Sequence, residues 1–307
     1  MKLVAIVLNY INWQDSAACV KRLLEMKTIS DVVLVDNASP NNSWDNLQRI
    51  FKNQSRLHLI KTSRNGGYGY GNNRGAYYAD MELSATQLMI TNPDVTIEES
   101  AVAAVSSYLE THKEYAAIAP AVDDSSGITQ IADQVWNLRN FHEHIINMFS
   151  LLKYFFQKNK KTNINPTSQI IQGDCISGAC LFVRTKVFRQ VGGYDERLFL
   201  FGEENVLGKK FKDAHYRSGI MPQYLYKHEH SGTIDTVFKL RAKMHLMNKS
   251  RRFVLLHYSD ASILQKAIFN IIYPLTFLDV EILIFKKIVA KYFTGCRQFL
   301  VTRLLSR

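Results

Sequence analysis

The sequence predicts an α/β fold built on a largely parallel sheet. Three observations predict it. Short apolar runs alternate with helical stretches over about the first 120 residues, as βαβ units require. Polar or acidic residues recur where those runs stop, at Asn9, Asp36 and Asp94, the edge at which open α/β sheets bind ligands. With 47% hydrophobic and 21% charged residues among 307, the chain has a globular composition, which excludes a disordered or fibrous protein.

Leu3 to Leu8 reads as the first strand, and residues from Asp15 to Met26 as a helix with Ala17, Val20, Leu23 and Leu24 on one face. Asp31 to Val35 is the second strand, ending at Asp36, and Ser43 can cap a helix running toward Phe51. Leu57 to Ile60 is a short third strand. The glycine-rich segment Arg64 to Gly71 reads as a loop feeding a helix over Asn72 to Met81. Gln87 to Thr91 is the fourth strand and stops at Asn92-Pro93-Asp94. A helix with an acidic start covers Glu98 to Leu109, followed by a fifth strand over Tyr115 to Ala119.

Residues 123–169 carry a polar turn, a helical stretch over Phe141 to Phe156 and a Lys/Asn-rich run, and are expected to form an insertion. Apolar patterning resumes over Ile176 to Val183. The expected organisation is a catalytic domain over residues 1–240 and a basic, amphipathic helical region over 241–307. Between Arg241 and Arg307 stand twelve Lys/Arg against Asp260, Asp279 and Glu281, which is +9 of the chain's +11. Charge concentrated there, without a helix-turn-helix, zinc-finger or RNA-binding signature, points to an anionic membrane surface and away from nucleic acid, the alternative being a helical subdomain that only packs on the sheet. The four cysteines are scattered and make no zinc spacing, so reduced thiols are expected. The apolar start, Leu3 to Leu8, is shorter than a signal h-region, and a buried strand of a cytoplasmic protein is expected.

Four places carry candidate chemistry. Asn9, Tyr10 and Asp36 follow strand ends, and Asp36 is suited to hydrogen-bonding a base or ribose. Asn65, Gly67 and Asn73 belong to a glycine-rich segment whose backbone can approach a phosphate closely; it lacks the Lys-Ser/Thr of a P-loop and the third glycine of a dinucleotide site. Asp94 offers a carboxylate for Mg²⁺ or Mn²⁺ shared with two phosphate oxygens. Glu203 and Glu204 follow Leu198-Phe199-Leu200-Phe201-Gly202, and a carboxylate beside aromatics loses solvation, gains proton affinity and suits a general base. His228 and His230 could complete the Asp94 site or meet a phosphate, and the sequence does not choose between them.

In combination, several motifs resemble family-2 inverting glycosyltransferases of the GT-A fold, in the branch that includes bacterial rhamnosyltransferases. They are Val7-Leu8-Asn9-Tyr10, Val35-Asp36-Asn37-Ala38-Ser39, Asn65-Gly66-Gly67-Tyr68-Gly69 with Asn73 and Gly75, Asn92-Pro93-Asp94-Val95, Ser177-Gly178-Ala179, Gly192-Gly193-Tyr194-Asp195-Glu196 and Gly202-Glu203-Glu204. The resemblance spans about residues 1 to 250. It implies a Rossmann-like, mixed, mainly parallel sheet flanked by helices, with a C-terminal helical appendage. It also implies Asp36 on the donor's pyrimidine, Asp94 and one of the late histidines on a metal-bound diphosphate, Glu204 as base and Glu203 beside it. Asn92 stands where the family has the first acid of Asp-x-Asp, Glu204 is one methylene longer than the usual Asp, and Val206 replaces a second Asp.

The expected function is transfer of a sugar, first L-rhamnose from dTDP-rhamnose, from a dTDP- or UDP-sugar to a lipid-linked oligosaccharide of O-antigen or capsule assembly. The expected place is the inner face of a bacterial plasma membrane. The alternatives are another UDP-hexose transferase, a non-catalytic nucleotide-sugar or glycan-binding relative, a nucleic-acid binder using the basic tail, and a nucleotidyltransferase releasing pyrophosphate.

Overall fold

The computed structural model describes residues 1–123, 131–156, 168–228, 239–287 and 289. The chain divides into two compact units: Met1–Leu138 with Thr162–Thr233, and Arg139–Lys161 with Ile234–Arg307.

The first unit holds the sheet. Its elements are β1 (Leu3–Asn9), α1 (Trp13–Glu25), β2 (Asp31–Asp36), α2 (Ser43–Ile50), β3 (Leu57–Lys61), α3 (Tyr68–Met81), β4 (Gln87–Thr91), β5 (Val95–Ile97), α4 (Glu99–Thr111), β6 (Tyr115–Asp123), β7 (Val135–Trp136), β8 (Ile171–Gly173), β9 (Cys175–Ile176), β10 (Cys180–Arg184), α7 (Thr185–Gln190), α8 (Glu203–Asp213) and β11 (Arg217–His228), with α5 (Phe141–Met148) and α6 (Ser150–Phe156) in the second unit. The main sheet runs β3-β2-β1-β4-β10-β6-β11-β5, with β8 beside β11. Pairing is parallel from β3 through β4 and again between β6 and β11, while β10 is antiparallel to both its neighbours.

Strand periodicity splits the core into two layers. Leu3, Ala5 and Val7 of β1 pack with α1 and α4 on one face, while Val4 and Ile6 pack with α3, α7 and α8 on the other. Helix α3 begins at Tyr68, four residues before the start expected from the glycine pattern. Gly67, at φ +93°, takes the left-handed turn before it. The later glycines serve packing: a Cβ at Gly71 would lie 2.3 Å from Leu8 and one at Gly75 2.6 Å from Ile6, so α3 lies unusually close to β1. Four strands lie outside the sequence expectation, the short β7 and β8 and the strands β5 and β11. β11 shifts register between Met221 and Leu225, which carries its last residues alongside β5.

The second unit is helical. Helix Leu240–Tyr258 and helix Ile263–Ile272 join α5 around Met148, Leu255 and Phe269. A further helix, Leu275–Lys287, follows with a 44° bend.

Candidate functional site

The parallel order sends the ends of β1, β2 and β4 to one edge, and β10 starts there beside Thr91. The corner after β1 and β2 is held by one buried network. Asn9 and Asp36 have no exposed surface. Asp36 Oδ2 accepts from Asn9 Nδ2 at 2.8 Å, and its Oδ1 accepts from the Ser39 N–H at 2.9 Å. Asn9 Oδ1 accepts from the Ser16 hydroxyl at 2.8 Å, tying the corner to α1. Asp36 thus fixes the loop Asp36–Ser39, while Tyr10 is half-buried at its rim.

The glycine-rich segment is a clasp. Asn65 Oδ1 accepts from Asn37 Nδ2 at 3.0 Å and from the Gly67 N–H at 3.1 Å. The Tyr68 N–H donates to Phe199 O at 2.9 Å, and a Cβ at Gly67 would fall 2.0 Å from that oxygen. Asn73 bonds both backbone groups of Tyr194, at 2.9 and 3.0 Å. These residues therefore hold the Asp36–Asn37 corner to the segment leading into α8.

Asp94 lies in the turn between β4 and β5. The Asn92 N–H donates to Ala179 O at 2.9 Å, which fixes this turn against the start of β10. His228, the last residue of β11, pairs in register with Val95 and brings its Nε2 to 3.2 Å from Asp94 Oδ1. His230 lies outside the described residues. Cys19 sits beneath the turn with its Sγ 3.9 Å from Asn92 O, and burial pushes its thiol up to about 12, so it stays protonated.

Glu203 and Glu204 open α8, after Gly202 in the left-handed region. Glu203 is 5% exposed, and among the described residues its Oε1 has no hydrogen-bond partner. Burial, then the neighbouring Glu204 charge, pushes its carboxyl up to about 8. Glu204 is half-buried, and Gly178 packs close against its carboxylate. Desolvation raises its pKa, partly offset by its own N–H and that of Gly178. It lines a small pocket with Gly178, Tyr194, Asp174 and Ser218.

Gly178 and Ala179 join the two acidic places: Ala179 holds the Asp94 turn, and Gly178 donates to Glu204 and accepts from the Tyr68 hydroxyl at 3.1 Å. The structure thus brings Asp94, His228 and Glu204 to one connected strip of backbone. Asn9, Asp36, Asn65, Gly67 and Asn73 form the adjoining scaffold. Tyr68 and Gly178 stand 110 residues apart, and that spacing hides their meeting in the sequence.

A family model described as Glycosyl transferase family 2 matches residues 4–191. The chain belongs to this family. A curated relative, the N-acetylglucosaminyl-diphospho-decaprenol L-rhamnosyltransferase of Mycobacterium tuberculosis, is 27% identical over 227 residues, 69% of this chain and 71% of that protein. Among solved structures, the mannosyltransferase PcManGT from Pyrobaculum calidifontis in complex with GDP-Man and Mn²⁺ matches with a TM-score of 0.56 and 12% identity, over 97% of this chain and 80% of that one. GalNAc-T7 with UDP, GalNAc and Mn²⁺ matches with a TM-score of 0.55 and 13% identity, over 74% of this chain and 44% of that one. These likenesses show the glycosyltransferase fold, a mixed, mostly parallel sheet flanked by helices.

The family's chemistry raises the question of a divalent cation. Among the described residues no cluster of three metal-binding side chains exists. A two-donor site fits nonetheless, because Asp94 and His228 converge at the strand edge and a diphosphate can supply further oxygens. Such a pair would bind a cation weakly without the nucleotide.

Proposed function

We propose that this family-2 glycosyltransferase moves a sugar from a dTDP- or UDP-sugar onto a lipid-linked glycan, with inversion at the anomeric carbon. The observation that supports the reading is the Gly178–Ala179 strip: Ala179 O accepts from the Asn92 N–H in the turn that carries Asp94, and the Gly178 N–H donates to Glu204. L-rhamnose from dTDP-rhamnose is the first donor, supported by the similarity to a rhamnosyltransferase acting on a polyprenyl-linked acceptor. O-antigen or capsule assembly is the corresponding setting, at the inner face of a bacterial plasma membrane.

The donor's base lies over Asn9–Tyr10 and the Asp36–Ser39 loop, with Asp36 acting by holding that loop in place. Asp94 and His228 would hold Mg²⁺ or Mn²⁺, which would supply charge neutralisation for the diphosphate. The acceptor oxygen attacks the anomeric carbon from the face opposite the diphosphate. The new carbon–oxygen bond forms as the sugar–phosphate bond breaks, and the nucleoside diphosphate leaves with the bonding electrons. Glu204 takes the acceptor's proton. Its desolvated carboxylate has a raised proton affinity, which favours that transfer, while Gly178 keeps it oriented.

The test is binding and turnover of dTDP-, UDP- and GDP-sugars, with Mn²⁺ and with chelator. Metal-dependent turnover of one dTDP- or UDP-sugar, releasing a nucleoside diphosphate, is expected. Release of pyrophosphate would instead identify a nucleotidyltransferase. Failure of every donor to bind would overturn the reading.

A further inference from the structure

From Leu264, apolar residues recur in alternating steps of four and three, at Ile268, Ile271, Leu275, Leu278 and Ile282. That spacing places them on one side of the two consecutive helices Ile263–Ile272 and Leu275–Lys287. All are exposed, from 36% at Ile282 to 77% at Ile271. The other side of the same helices is covered: Phe269 and Val280 have no exposed surface and Thr276 almost none, with Phe269 in the core of the second unit. Among the described residues the stripe is therefore an uncovered outer face of this unit.

Its width and charge select the occupant. Ile263, 89% exposed, and Phe277, 46% exposed, broaden it beyond the narrow seam of a coiled coil. The surrounding sequence, Arg241 to Arg307, carries +9, and Lys249, Lys286 and Lys287 are exposed. A second copy would bring the same charge against itself, whereas an anionic bilayer offers acyl chains to the stripe and phosphates to the lysines. No single helix among the described residues is long and apolar enough to cross a membrane, although the bent pair together has the necessary length and composition. With one face already covered by the unit's own core, that pair has one face left for lipid.

We infer that the stripe from Leu264 to Ile282 lies flat in the headgroup–acyl boundary of an anionic bilayer, as a bent interfacial helix pair. This stands independently of the transfer reaction. The full chain is sedimented with vesicles of phosphatidylcholine alone or with phosphatidylglycerol, without donor or acceptor. At least about tenfold stronger partition into anionic vesicles is expected, falling as salt is raised. Ile271→Asp combined with Leu278→Asp, both at exposed positions, should weaken it about tenfold or more with an unchanged melting temperature. In a second variant, Leu275→Trp, emission should shift to the blue on anionic vesicles and be quenched by brominated acyl chains. Equal binding of the double variant, or no quenching of the tryptophan, would overturn the inference. So would a dimer, formed without vesicles, that the double variant dissolves, since the stripe would then belong to a second copy. Donor turnover measured in the same preparations reports separately on the catalytic reading.

Discussion

Two buried carboxylate corners of this molecule receive opposite treatment. Asp36 is completely enclosed, and each of its oxygens accepts a hydrogen bond from its own loop network. Glu203 is almost as enclosed, yet one of its oxygens has no partner among the described residues and a second carboxylate follows it in the chain. Burial alone therefore does not decide whether an acid stabilises a fold. Partners do: the first corner is a scaffold, and the second holds proton affinity that chemistry can use.

The largest effect expected is on Glu204. Glu204→Gln should lower kcat by about 10²–10⁴-fold while donor affinity, measured by calorimetry, stays close to that of the parent. An unchanged kcat would erase the distinction between the corners. Next is Asp36→Ala, which strands the Asn9 amide and the Ser39 N–H in a dry site. It should cost about 2–3 kcal/mol in urea unfolding at neutral pH.

Glu203→Gln should act with the opposite sign as pH rises. The ordinary value of 4.5 is raised to about 8 in the folded protein, so between them the native state holds a proton that the unfolded chain has released. That contribution is complete below about pH 4.5 and is lost as pH climbs toward 8. The parent should therefore lose on the order of 2 kcal/mol from pH 6 to pH 8, and Glu203→Gln should flatten that slope in denaturation curves. A parent whose slope over that interval matches that of Glu203→Gln would show that Glu203 is ionised in the native state. The smallest effect is Gly178→Ala. Its Cβ would stand 3.1 Å from Glu204 Oε1, which the carboxylate can relieve by a shift of a few tenths of an ångström. A loss of kcat of about tenfold or less, with KM unchanged, is expected from so small a displacement.

How much of this was legible in the sequence follows from range. Strands β1, β2 and β4 are readable because each is a nearly continuous apolar run between polar punctuation, as buried parallel strands are. The start of α3 is not, because Gly69 and Gly71 read locally as loop residues, and their reason is the Tyr194 and Leu8 side chains they press against. β11 alternates too irregularly to read, since its register shift breaks the period. At the site, Asp94, Glu203 and Glu204 announced themselves as motifs. The choice of His228 to meet Asp94 needed β11 and β5 to pair, and the bridging role of Gly178 needed the positions of β10 and α8 together. Asp36 was expected to touch a base and is found enclosed, because its short side chain turns back onto Asn9 and Ser39.

The position of β10 has a consequence for biosynthesis. β4 and β6 do not pair with each other; the strand between them is supplied by residues 180–184. As the chain emerges from the ribosome, two apolar strand edges must wait for about sixty residues beyond β6 before the middle of the sheet can close. The same late segment brings Gly178 and Ala179, and α8 follows it. The Asp36 corner can form early, but the Glu203–Glu204 corner is assembled only with the closing of the sheet. A nascent or truncated chain ending before residue 180 would thus carry an open seam that invites misassociation.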